Sequence, residues 1–203
     1  MTGRDRAELA RAHATLQRGA DFLAQGLSRE GARPAITGRY RARVLGNGLR
    51  ELDRFLSLLI DALAGACGIA LPAGERETAN KLASLRAMTG APHDDHARLT
   101  ALARSRDCLF HCEGLVRRGD RRGDASMTVG WPMREGAVLP RVAIGERLSL
   151  SGAELDEICG YYRAIAAQLF SESGLPVPPA IPGTPPSPGS ACAIAARSAS
   201  SGR

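Results

Sequence analysis

The chain is poor in aromatic residues and nearly devoid of lysine. Aromatics make up 4% of its 203 residues and Lys81 is its single lysine. The core therefore has to be built from Leu, Ala, Ile and Val, a composition that leans towards helices. No apolar run reaches the roughly 18 residues that a membrane span requires. Residues 1–10 carry charge where a secretory leader would carry an apolar stretch. The expectation is a cytoplasmic protein with no membrane partner. Cysteines are too few and too irregular for a disulfide framework. Cys67, Cys108, Cys112, Cys159 and Cys192 are odd in number and fall mostly on apolar helical positions, as reduced thiols do. Also missing are a carboxylate cluster of the two-metal nuclease kind, a glycine-rich phosphate loop and a Gly-x-Ser-x-Gly elbow.

What is present is positive charge. The formal net charge is +6 and the sequence pI is near 9.5, which favours an acidic partner, nucleic acid first. Nearly all of that charge is arginine, suited to bidentate phosphate contacts. A GC-rich coding bias gives the same skew, and most of it is assigned to that bias.

Periodicity predicts an all-α helical bundle of about five helices, with a small extended insertion before the last helix and a disordered C-terminal tail. A helix over 4–27 places Leu9, His13, Leu16, Ala20, Leu23 and Leu27 on one stripe. His13 reads there as a packed histidine satisfied by a neighbour. A longer helix is expected from Thr37 to Ala66, with Gly46 and Gly48 as points of kinking or weakness, then a short one from Glu77 to Met88. A fourth starts near Pro92, capped by Asp94 and Asp95 and flanked by His93 and His96, and ends around Glu113 to Arg118 at Gly114 or Gly119. His93 and His96 read as exposed first-turn residues, since no further metal ligand lies near them. Between Gly119 and Ser149 the helical period gives way to two strand-like pieces, Met127 to Trp131 and Arg141 to Ile144. Ser151 and Glu154 form a capping box that opens the last helix, through Leu169. The domain is expected to span 1–173, with its core at about 37–170, and the Pro/Ala/Ser/Gly-rich tail to span 174–203.

Chemistry concentrates on the fourth helix. Arg106, Asp107 and His111 bring a permanent cation, a carboxylate and a group titrating near neutrality into six residues. A histidine can take the proton from a ribose 2′-hydroxyl or give one to the leaving oxygen. An arginine can hold the phosphate and stabilise its charge, and Asp107 can orient either partner. At about 100° per residue, however, Arg106 and His111 stand roughly 140° apart and do not share a face. A compact site then requires a loosened helix near Gly114 or two subunits with adjoining helices, and the dimer is the favoured expectation. Arg106 also falls on the stripe of Leu99, Leu102 and Leu109, where a charge should be paired, Glu113 being the candidate partner. The plainer alternative is that Arg106 and Glu113 only stabilise packing while His111 caps the helix. Arg117, Arg118, Arg121 and Arg122 form a basic cluster just beyond, which with Arg104 can track an RNA backbone or form a solvated loop. Cys108, His111 and Cys112 fall short of the four ligands of a structural zinc site, so no metal and no cofactor is expected.

The stretch Arg106-Asp107-Cys108-Leu109-Phe110-His111, followed by Gly114, an irregular basic segment, residues 144–151 and a final helix, resembles the HEPN superfamily with its Arg-polar-x-x-x-His motif. The resemblance covers about Thr37 to Phe170. It implies an all-helical, commonly dimeric bundle and a metal-independent ribonuclease of the kind found in toxin–antitoxin, defence and RNA-processing systems, with an antitoxin protein as a further partner. By position Arg106 and His111 would be the catalytic pair and Asp107 the polar residue after the arginine, where asparagine is commonest. Family members without activity act as RNA-binding or protein-interaction modules, and that is the alternative function.

Overall fold

The computed structural model describes residues 2–27, 38–92, 94–132 and 138–178. The expected tail from 179 onward, Cys192 and His93 lie outside the described residues. Five helices form an all-α bundle: α1 (Gly3–Leu27), α2 (Gly38–Cys67), α3 (Thr78–Thr89), α4 (His96–Cys112) and α5 (Gly152–Ser173). Between α4 and α5 stands one antiparallel hairpin, β1 (Ser126–Thr128) and β2 (Arg141–Ala143), in which Met127 faces Val142.

The central element is α2, which packs along α1 and α4 and touches α3 and α5. Its apolar positions at spacings of three and four, among them Leu49, Leu52, Leu56, Leu59 and Ile60, are buried in one continuous core. α1 and α5 run in opposite directions, since His13 meets Phe170 edge to face at 5.0 Å while Asp21 accepts from Arg163 at 2.6 Å. The core is largely aliphatic, as the shortage of aromatics requires, with Tyr162, Phe170 and Trp131 as its buried aromatic side chains. α5 begins on the expected capping box. The Ser151 hydroxyl accepts from the Glu154 amide at 3.2 Å, and the Glu154 carboxylate accepts from the Ser151 amide at 2.8 Å.

Gly46 and Gly48 do not kink α2, which runs unbroken for 30 residues. They are places where neighbours come close. A Cβ on Gly46 would stand 2.7 Å from the Phe110 amide nitrogen and 2.9 Å from the Arg106 carbonyl oxygen of α4, and one on Gly48 would meet Leu23 of α1. Asp95 also departs from expectation: its side chain makes no cap on α4. It accepts instead from Arg86 of α3 and from the Tyr161 hydroxyl of α5, and Arg86, 3% exposed, reaches Glu172 and Gln168 as well. A desolvated guanidinium needs several acceptors, and that demand outweighs one cap bond. α4 ends at Cys112, where Glu113 turns left-handed at φ 54° and its amide donates to the Cys108 carbonyl.

Two measurements check this packing. Gly46→Ala should cost about 1–3 kcal/mol by overpacking, whereas Gly65→Ala on the same helix, where a Cβ meets nothing within 4 Å, should gain about 0.5–1 kcal/mol; equal losses in denaturant melts would contradict the close approach. Burial lowers the pKa of His13, so as the pH falls through about 6.5 the unfolded chain takes up a proton that the folded chain resists. Stability should decline from pH 7 to pH 5.5, and His13→Leu should remove that part of the decline.

Candidate functional site

α4 presents two faces to two different tasks. Positions 104, 107, 108, 111 and 112 recur at three- and four-residue intervals and share a face. Arg104, Asp107, Cys108, His111 and Cys112 accordingly line one side of an open groove of about 990 Å³. Its other side is the segment 117–125, carrying Arg117, Arg118, Arg121 and Arg122, and Met127 and Ile144 of the hairpin region complete it. The groove thus brings together His111, Asp107 and all five arginines expected to contact RNA. Arg106 is not among its lining residues.

Arg106 points to α2, where its guanidinium pairs with the carboxylate of Asp53. Its expected partner is thereby corrected: Glu113 is taken by Arg43 at 3.2 Å. The reason is the antiparallel packing of α4 on α2, which sets Asp53 beside Arg106 while Glu113 lies past the last turn in a left-handed conformation. Asp53 also accepts from the Thr78 hydroxyl at 2.8 Å. Burial opposes the charge on Arg106, but Asp53 more than offsets this and the guanidinium holds its proton more tightly than usual. Its Nε stands 3.5 Å from Asp107 Oδ1 without forming a hydrogen bond.

The arginine segment is held at both ends. Before it, the Val116 amide donates to the Glu146 carbonyl and the Leu148 amide to the Gly114 carbonyl, at 2.9 and 2.8 Å, and at its close the Ala125 carbonyl accepts from the Ile144 amide at 2.9 Å. Within it, Asp120 accepts from both the amide and the hydroxyl of Thr128 and pairs with Arg104 at 3.1 Å. Partial burial works against the Asp120 charge, yet the two Thr128 hydrogen bonds, Arg104 and Arg141 keep its carboxyl below the usual range. The Asp124 carboxylate accepts from the Arg121 amide at 3.2 Å and tightens the turn. Trp131, buried behind the hairpin, donates its indole N–H to the Ser149 carbonyl at 3.1 Å.

His111 is exposed and stands edge to face with Phe110, ring centres 4.9 Å apart, while Arg50 of α2 lies over the Phe110 ring at 5.8 Å. Cys108 is buried, and that burial, with Cys112 beside it, pushes its thiol up to about 11, leaving it a poor nucleophile. Among the described residues, no group of three or more His, Cys, Asp or Glu is arranged to hold a metal ion. His96 is exposed at the start of α4 and its Nε2 lies 2.9 Å from Asn80 Oδ1.

Asp53, Asp120, Asp124 and Ile144 were not singled out from sequence. Asp53 had a legible signal, because it interrupts the apolar stripe of α2 between Leu49 and Leu56, where a carboxylate must meet a cation. Asp120 had none, since its bonds depend on the turn that brings Thr128 back to it. Comparisons of the chain with protein-family models, curated proteins and solved structures find no match.

Removing one member of the Asp53–Arg106 pair leaves the other charge desolvated. Arg106→Ala should therefore cost about 3–5 kcal/mol, measured by denaturant melts. The combination Asp53→Leu with Arg106→Met should recover most of the loss; a double variant no more stable than Arg106→Ala would contradict the pairing.

Proposed function

We propose that the chain is an RNA endonuclease of HEPN type, acting without a metal, in which His111 is the general acid–base group and Arg117, Arg118, Arg121 and Arg122 hold the phosphate backbone, Arg104 being engaged by Asp120. The observation that carries this reading is that His111 and Asp107 open onto the same groove as those arginines. A solvated arginine loop would have no reason to face the one exposed histidine of the motif. In the proposed reaction His111 takes the proton of a ribose 2′-hydroxyl. The 2′ oxygen bonds to phosphorus as the bond to the 5′ oxygen breaks, and the proton ends on that 5′ oxygen, leaving a 2′,3′-cyclic phosphate. One turn before His111 on the same face, Asp107 would hold the imidazole in orientation. The arginines would neutralise charge gathering on the non-bridging oxygens.

Arg106 decides between two forms of this proposal. Its pairing with Asp53 means that it would act as a phosphate-binding catalyst only if a homodimer brings the Arg106 of one copy to the His111 of the other. The same pairing favours a second reading, a non-catalytic RNA-binding module in which Arg106 is purely structural. Its context would be that of the family, a cytoplasmic toxin–antitoxin or defence system with a protein antitoxin.

Purified protein should cut single-stranded RNA in EDTA, and His111→Ala should remove the activity while leaving the melting curve in place; cutting that survives in His111→Ala sinks the ribonuclease reading. Arg106→Lys, which keeps a cation for Asp53 but loses the planar fork, separates the two forms. If the site is composite, mixing inactive Arg106→Lys with inactive His111→Ala subunits should restore cleavage, because one site of the mixed dimer is then intact. No recovery would leave Arg106 a structural residue.

A further inference from the structure

A groove that bound only a phosphate backbone would need arginines and nothing apolar, yet this one has an apolar floor. In the hairpin, Ser126 faces Ala143, Met127 faces Val142 and Thr128 faces Arg141, and the Ile144 amide donates to the Ala125 carbonyl at 2.9 Å. Alternation along paired strands therefore puts Ala125, Met127, Val142 and Ile144 on one face. The opposite face is polar, with Arg141 donating to the Ser126 hydroxyl and Thr128 bound to Asp120. Met127 closes the inner end of the apolar face at 4% exposure, whereas Ile144, at the groove, remains 47% exposed. Both line the groove, as do Cys108 and Cys112 across from them, and Arg117, Arg118, Arg121 and Arg122 share its lining.

We infer that Ile144 and Met127 form the floor of a nucleobase subsite, on which one unstacked base of single-stranded RNA rests while its phosphate lies on the arginine segment. This rests on the reading of the groove as an RNA site and adds the form of RNA that fits it. A base has an apolar face and its own negatively charged backbone, which matches an apolar floor rimmed by arginine. In a duplex those faces are stacked and hidden, so a paired strand offers the floor nothing. The half-exposed Ile144 is the contact that a base would cover.

The test uses the full chain, 2′-O-methyl RNA, which carries no 2′ proton and is not cut, and inorganic polyphosphate, which carries the charge without bases. By fluorescence anisotropy, Ile144→Ser should weaken single-stranded RNA about five-fold or more and leave polyphosphate affinity unchanged, and the wild-type chain should bind the single strand more tightly than its duplex. Equal losses for RNA and polyphosphate, no loss for either, or tighter binding of the duplex would overturn the subsite. So would an acidic peptide that binds more tightly than RNA and depends on Ile144, which would make the ligand a protein. His111-dependent cleavage that persists alongside any of these results leaves the ribonuclease reading standing. A wild-type chain that binds polyphosphate but no RNA takes both down.

Discussion

The carboxylate of Asp53 sets the geometry on which the rest of the molecule depends. It sits on the buried stripe of α2, pairs with Arg106 of α4, accepts from Thr78 at the start of α3 and lies close enough to Tyr162 of α5 to add to the rise that burial gives the pKa of that phenol. Leaving such a group desolvated and alone costs several kcal/mol, so arrangements of the four helices that fail to bring Arg106 to it are excluded. The close approach at Gly46 adds a steric condition to this electrostatic one, because the α4 backbone at Arg106 and Phe110 lies where a side chain would otherwise be. Together they fix both the distance of α4 from α2 and its rotation. With Arg106 turned inward, a helix of 3.6 residues per turn has to turn Asp107 and His111 outward.

A second polar junction secures the near end of α4. Arg86, buried between α3 and α5, gathers Asp95, Glu172 and Gln168, and Tyr161 adds a hydroxyl to Asp95. At the far end the left-handed Glu113 pairs with Arg43, and the strand-like contacts of 114–116 with 145–148 tie the following segment to the hairpin. α4 is therefore held at its start, middle and end by charged groups in addition to its buried stripe of Leu99, Leu102 and Leu109. Its face toward the groove is free of core packing except at Cys108 and Cys112. That freedom is what lets one helix carry both an inward, half-buried arginine and an exposed histidine.

Residue patterns made the helices legible because each buries a stripe, and the period of that stripe is a local property of the chain. The capping box at Ser151 and Glu154 was legible for the same reason, its partners being three residues apart. What periodicity could not supply were the choices among distant partners. Arg106 on an apolar stripe demanded a carboxylate, but Glu113 was the one on the same stripe in sequence whereas Asp53 is the one that meets it across the helix interface. Asp95 had the position of a cap and serves Arg86 instead. The candidate site divides in the same way: the α4 face follows from helix geometry, while the approach of the arginine segment to it depends on Asp120, Thr128 and the hairpin register, which emerge only once the chain has turned back on itself.

The arginines themselves fall into two groups, and the division bears on how a groove holding three carboxylates would take up the anion proposed for it. Arg104 and Arg141 are spent on Asp120, and with Thr128 they make that carboxylate part of the framework. Arg117, Arg118, Arg121 and Arg122 are exposed, and no ion pair among the described residues engages them. Their charge is free for a ligand, while Asp107 and Asp124 offset part of it. A polyanion entering the groove therefore gains from the exposed arginines without breaking the pairs that hold the loop. Positive charge that stabilised the fold would be found in the first group; charge left over in the second carries a cost of self-repulsion that a bound anion would relieve.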